Sequence, residues 1–219
     1  MQTVRFAAYL LVSLAVGMVA REFTRSFVAT RLNDPTPRLW GRLSLNPKTW
    51  FDPFGSGLLP GLILILWAGG ASYLPPPFAY AKPAAIDPAR WRRPARDAVA
   101  ISLAGPASNA LLAAGSGGLL RIGPSGEAAL MLIAFTFTNL SLAIFHLMPI
   151  PGLDGARVVA LALPPRAREI YRQADQYLPL FILVVFFVFA GPLLSIVDSL
   201  SNGLCRVFSG APCFPLPFL

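Results

Sequence analysis

Five apolar stretches organise the chain. Val4–Ala20 is uncharged apart from Arg5, and Leu58–Leu74, Ala98–Leu120, Ala128–Ile150 and Leu178–Val197 carry no formal charge. A helix needs ~20 apolar residues to cross the hydrocarbon core of a bilayer, so the last three are predicted to span it. The first reaches that length when its helix runs on into Arg21–Thr30. Leu58–Leu74 is shorter and is interrupted by Pro60, Gly61, Gly69 and Gly70. It reads as a short or re-entrant segment, because broken backbone at membrane depth has to be buried in protein. Between the first two stretches, the alternation within Pro37–Phe51 predicts one or two short strands lying on the membrane surface. The expected fold is an all-α polytopic membrane protein: a bundle of four to five transmembrane helices with one re-entrant or short segment and a small surface β element. Residues 1–200 are expected to form one integral-membrane domain and 201–219 a C-terminal tail.

Composition agrees with that pattern and adds an orientation. Of 219 residues, 55% are apolar and 13% charged, against ~25% charged in soluble domains. This hydropathy excludes a soluble nucleic-acid binder. The net charge of +8 is segregated: residues 21–57 and 75–97 each carry an excess of three cations and 149–177 an excess of one, while the Arg121–Glu127 link is neutral. Positive charge favours the cytoplasmic side, so the expected arrangement is multi-pass in the cell membrane. The basic loops then lie in the cytoplasm, with the N-terminus and the C-terminal tail outside. Arg5 and its apolar run look like a signal peptide, but no small-x-small cleavage site precedes Arg21, and the helix is read as retained. Cys205 and Cys213 fall in the outside tail, either as a disulfide or as two free thiols. Sixteen of the eighteen cations are Arg, a usage typical of GC-rich bacterial genomes.

Three local patterns carry the candidate chemistry. Arg21-Glu22-Phe23-Thr24-Arg25 ends the first apolar helix. Gly105-Pro106-Ala-Ser-Asn109 lies in a crossing helix, and His146-Leu-Met-Pro149-Ile-Pro151-Gly-Leu153-Asp154-Gly155 follows another. With the intervening Asn46-Pro47, Asp52-Pro53 and Lys82-Pro83, this set and its order resemble the site-2 proteases, a family of intramembrane zinc metalloproteases. The likeness covers roughly residues 15–165. It implies a site-2-protease-like helix bundle.

In that family the first motif is HExxH: two histidines one helical turn apart bind Zn²⁺, and the Glu between them is the general base. The Asp of the LDG motif is the third ligand. The resemblance therefore makes Glu22 a vestigial general-base position, and Arg21, Arg25 and Asp154 vestigial ligand positions. A guanidinium has no lone pair to give and brings a positive charge where the dication should sit. The chain has one histidine, so no site needing two imidazoles can form. His146, which stands where the family usually has an asparagine, is the fallback ligand; otherwise it is a hydrogen-bonded residue at a helix end. Glu22 and Arg25 share a helical face, and the guanidiniums are expected to bridge to Asp154 in place of the metal; the competing reading lets both snorkel to the surface. Asn109, Gly105, Pro106, Pro149 and Pro151 are implied to border a substrate groove. The two late prolines break the helix before Asp154, and Gly155 permits a turn there.

No cofactor is expected on this reading. The leading expectation is a catalytically inactive homologue, a pseudoprotease that holds a transmembrane segment or a partner membrane protein without cleaving it. One alternative is a zinc-dependent intramembrane metalloprotease with non-standard ligands, and another is a structural subunit of a membrane complex. The bilayer itself is an implied partner; nucleic acid is not.

Overall fold

A computed structural model describes residues 2–68, 79–82, 84–177, 180, 181, 184 and 190–213. Three helices are long and apolar enough to cross a membrane, and they lie within α1 (Gln2–Arg31), α5 (Pro94–Leu120) and α6 (Gly126–His146). Between α1 and α5 come the single turns α2 (Thr36–Leu39) and α3 (Pro47–Trp50), then a π-helical turn Pro53–Leu58 that runs into α4 (Leu59–Ala68). After α6 the chain forms α7 (Asp154–Ala162), the basic α8 (Pro165–Ala174) and α9 (Ala190–Ser209). Nine of the twenty residues of the expected span Leu178–Val197, and residues 69–74 of Leu58–Leu74, lie outside the described residues.

At 1.5 Å per residue, α1 is about 45 Å long, well beyond a hydrocarbon core of ~30 Å. Its apolar first two-thirds are followed by the charged stretch Arg21–Arg31. The central helix is α6, which packs against α1, α5 and α9. Its surroundings explain its composition. Thr136, Thr138, Asn139 and Ser141 are fully buried, and the Ser116 and Thr136 hydroxyls of α5 and α6 meet at 2.7 Å. Small polar residues of this kind let apolar helices approach closely and bond across the contact. Gly17 of α1 serves the same end, since a Cβ there would lie 2.8 Å from Asn139 Oδ1.

The two ends of the bundle differ. At one end, Arg5 Nη1 and the Tyr9 hydroxyl each donate to Glu127 at 2.6 Å, and Arg121 Nε donates to the Phe208 carbonyl at 2.7 Å. The start of α1, the 121–125 link and the close of α9 therefore sit together, as the alternation of basic and neutral segments requires. Cys205 and Cys213 form a disulfide at this end, with Cα atoms 5.8 Å apart. The opposite end gathers the close of α1, the start of α5, the close of α6, and α7.

The surface β element expected in Pro37–Phe51 is not a strand: among the described residues that stretch contains α2, a turn, and α3. The reason is local. Pro37 lies at the start of α2 and Pro47 at the start of α3, where the missing N–H costs nothing. Gly41 between them takes φ +65°, which ends any extended run. The acidic and amide residues of these loops act as caps. Asn46 accepts from Lys48 N at 3.0 Å, and Asp52 accepts from Phe54 N and Gly55 N. Asp34, fully buried, accepts from Thr36 N at 3.0 Å and from Asp87 N at 2.7 Å, pinning the 84–91 segment under the first loop.

Candidate functional site

Four charged side chains meet near the C-terminal end of α1. Arg21 and Arg25 are one turn apart on the helix, and Asp154 opens α7, which follows the Pro149–Pro151 turn. Exposure is 4% for Arg21, 1% for Glu22, 3% for Arg25 and 1% for Asp154, so all four are out of water. Arg21 donates from one Nη to Glu22 and from the other to Asp154 Oδ2. Arg25 Nη1 donates to both oxygens of Glu22 at 3.2 Å, and its Nε lies 3.4 Å from Asp154 Oδ1. Glu22 Oε2 also accepts from the Ala84 backbone N–H at 3.2 Å. Two cations face two anions, and the group is neutral as a unit. Neutrality and hydrogen bonding let it persist without water, because an unpaired buried ion costs several kcal/mol. Burial alone would raise the Asp154 carboxyl, but the Arg21 and Arg25 guanidiniums outweigh it and hold the group at about 2. The arginines do not snorkel.

Two glycines make the meeting possible. A Cβ on Gly105 would stand 2.8 Å from Arg21 Cγ and 3.1 Å from Arg25 Cδ, so α5 leaves room at this point for both arginine stems. A Cβ on Gly155 would collide with the Leu147 carbonyl. That glycine permits close approach of α7 to the end of α6. It does not have a positive φ, unlike Gly152 at φ +90°, which makes the turn.

His146 is the last residue of α6 and is buried, with Nδ1 2.9 Å from the Leu142 carbonyl and its ring edge-on to Phe145. Its Nε2 has no hydrogen-bond partner among the described residues. It shares a cavity of about 20 Å³ with Arg21, Glu22, Arg25 and Leu153, room for a single water. Asn109, one turn after Gly105, is fully buried, and neither its Oδ1 nor its Nδ2 has a partner among the described residues. Gly105 and Pro106 are buried beside it, whereas Pro149 and Pro151 sit in the partly exposed turn. The charged residues and His146 are thus brought to one place. The groove residues divide between the helix interface and the turn.

The donor set does not fit zinc. Arg21 and Arg25 offer no lone pair, both carboxylates are taken by guanidiniums, and one imidazole nitrogen remains. Among the described residues no group of three His, Cys, Asp or Glu could hold a metal ion. Sequence reasoning missed Arg157, which borders the small cavity and whose Nε stands 3.9 Å from Asp175. Its position one turn after Asp154 was the available signal.

Three helices long and apolar enough to cross a membrane, with the acidic start of α7 docked against the close of α1, define a membrane protein built around a buried charged cluster. The chain belongs to the site-2 protease family. It is 34% identical over 189 residues to the Bacillus subtilis protein named "Putative zinc metalloprotease YwhC", covering 81% of this chain and 80% of that one. It is 32% identical over 177 residues to the Mycolicibacterium smegmatis zinc metalloprotease homologue Rip2 and 30% identical over 174 residues to Rip2 of Mycobacterium tuberculosis, covering 78% of this chain and 63% of Rip2 in each case. No family model and no solved structure matches the chain.

Proposed function

We propose that this chain is a pseudoprotease: a site-2-protease homologue in which Arg21-Glu22-Phe-Thr-Arg25 occupies the position of the family's HExxH and a salt-bridge quartet stands in for the metal. The observation that carries the reading is the contact of both guanidiniums with Asp154, the expected third ligand. The quartet ties α1 to α7 as zinc would, and it offers no Lewis acid and no activated water. Such a scaffold holds a transmembrane segment or a membrane partner without cutting it. The basic end carrying the quartet faces the cytoplasm, and the Cys205–Cys213 end faces the oxidising outside, consistent with where disulfides persist. In-membrane crosslinking of the tagged full chain, followed by mass spectrometry, is expected to return partners of full length. Partner fragments ending inside their apolar segments would overturn the reading.

A second reading draws on the unpartnered His146 Nε2, which shares its cavity with Glu22, and on the names of the relatives. It is a metalloprotease with substituted ligands. It requires Arg21 and Arg25 to withdraw from both carboxylates, leaving two cations beside the dication. Bound zinc that depends on His146 would favour it.

A further inference from the structure

A second, larger cavity is bordered by α7, the start of α5, the second half of α8 and the 84–91 segment. Its volume of about 380 Å³ falls within the range of small-molecule sites, roughly 300–1,000 Å³. Ile86, Ala98, Ile101 and Ala160 give it apolar walls, and Trp91, Arg157 and Arg172 border it. The cations are not equally engaged. Arg168 donates to the Ala160, Leu161 and Leu163 carbonyls that close α7. Arg172 is held by Glu169 at 2.7 Å. Among the described residues Arg157 has only Asp175, at 3.9 Å, a carboxylate that also lines the cavity and already accepts from Gly152 N at 2.8 Å. One under-paired guanidinium therefore borders an apolar cavity, at the basic end of the bundle.

We infer that this cavity binds the phosphate headgroup of an anionic phospholipid, with Arg157 donating to the phosphate and the Ile and Ala walls covering the glycerol and upper acyl carbons. The phosphate supplies the close acceptor that Arg157 lacks. The apolar walls, and the position at the end of the spans where basic residues collect, select a headgroup over a soluble phosphate. Basic pockets between helices at that level are a known mode of headgroup recognition. The inference does not depend on whether the quartet replaces a metal.

The test is native mass spectrometry of the full chain in mild detergent, titrated with phosphatidylglycerol or phosphatidylcholine, with sn-glycerol 3-phosphate as the soluble arm. Phosphatidylglycerol is expected to be retained in preference to phosphatidylcholine. Arg157→Gln is expected to lower that retention about fivefold, the worth of one cation beside an anionic headgroup. Ala160→Leu keeps every charge and fills the cavity, so it too should lose the preference, which guards against an Arg157 variant that merely folds poorly. Equal retention of the two lipids would overturn the proposal, as would a preference untouched by Arg157→Gln and Ala160→Leu. Glycerol phosphate binding as tightly as the lipid would overturn the headgroup assignment.

Discussion

Removing the Asp154 carboxylate tests the quartet most sharply, because the charge bookkeeping is explicit. In Asp154→Ala, Arg21 and Arg25 face Glu22 alone, and one positive charge is left where exposure is only a few per cent. Arg21 loses its hydrogen bond to Oδ2, and Arg25 loses an ion pair at 3.4 Å. Breaking a buried pair from one side costs about 3–5 kcal/mol. For a chain of this length that corresponds to a fall in apparent Tm of about 6–20 °C, taking roughly 2–4 °C per kcal/mol. Arg21→Met alone leaves one negative charge and should destabilise by a similar amount. The double variant keeps the neutral Arg25–Glu22 pair and should cost less than the two single losses together, by a coupling of about 1–3 kcal/mol. The assay is an unfolding titration in mixed micelles on the four proteins of the cycle. A loss below about 1 kcal/mol in Asp154→Ala, or additive single effects, would refute the buried quartet, since exposed ion pairs contribute no more than that.

Gly105→Ala would place a Cβ 2.8 Å from Arg21 Cγ and should cost about 1–3 kcal/mol by overpacking, read in the same titration. Asp154 titrates at about 2 when folded and near 3.9 when unfolded. Its contribution is therefore complete above about pH 4 and lost as pH falls through about 2. The difference in stability between the natural chain and Asp154→Ala should stay flat from about pH 5 to pH 8, and a step within that window would contradict the pairing. Cys205→Ser opens a loop with a sequence separation of 8 and should lower stability by about 2–3 kcal/mol. In intact cells the natural pair should resist maleimide until a membrane-impermeant reductant is added, and prompt labelling without reductant would contradict an oxidised outer tail.

Much of this was legible in the residues, for physical reasons. Uncharged runs of span length leave α1, α5 and α6 few alternatives, and the charge asymmetry of the loops anticipated which ends meet. The bridge from the arginines to Asp154 could be read because the family resemblance sets the Asp154 segment opposite the face that Arg21 and Arg25 share, and a buried guanidinium needs a carboxylate. The β element failed because alternation along Arg38–Asn46 mimics a strand, whereas Pro37, Pro47 and the Asn46 cap commit the flanks to helical turns. Gly155 was legible as a glycine but not for its reason, since only the packed structure shows the Leu147 carbonyl that a side chain would strike. Asn46 and Asp52 stood out as motif residues, and their observed work is capping. Arg157, the last residue of the Asp154-Gly155-Ala-Arg157 motif, was given no role because a cation one turn after an acid looks like an ordinary helix pair until Asp175, just after α8, comes beside it.

The central claim is that two guanidiniums take the place of a metal, and zinc content per chain after mild-detergent purification tests it most directly. Essentially no zinc is expected in the natural chain or in Asp154→Ala, whereas Arg21→His combined with Arg25→His is expected to acquire zinc that a further Asp154→Ala removes. Near-stoichiometric zinc in the natural chain, lost on Asp154→Ala or on replacement of His146, would contradict the claim and make the chain a metalloprotease candidate.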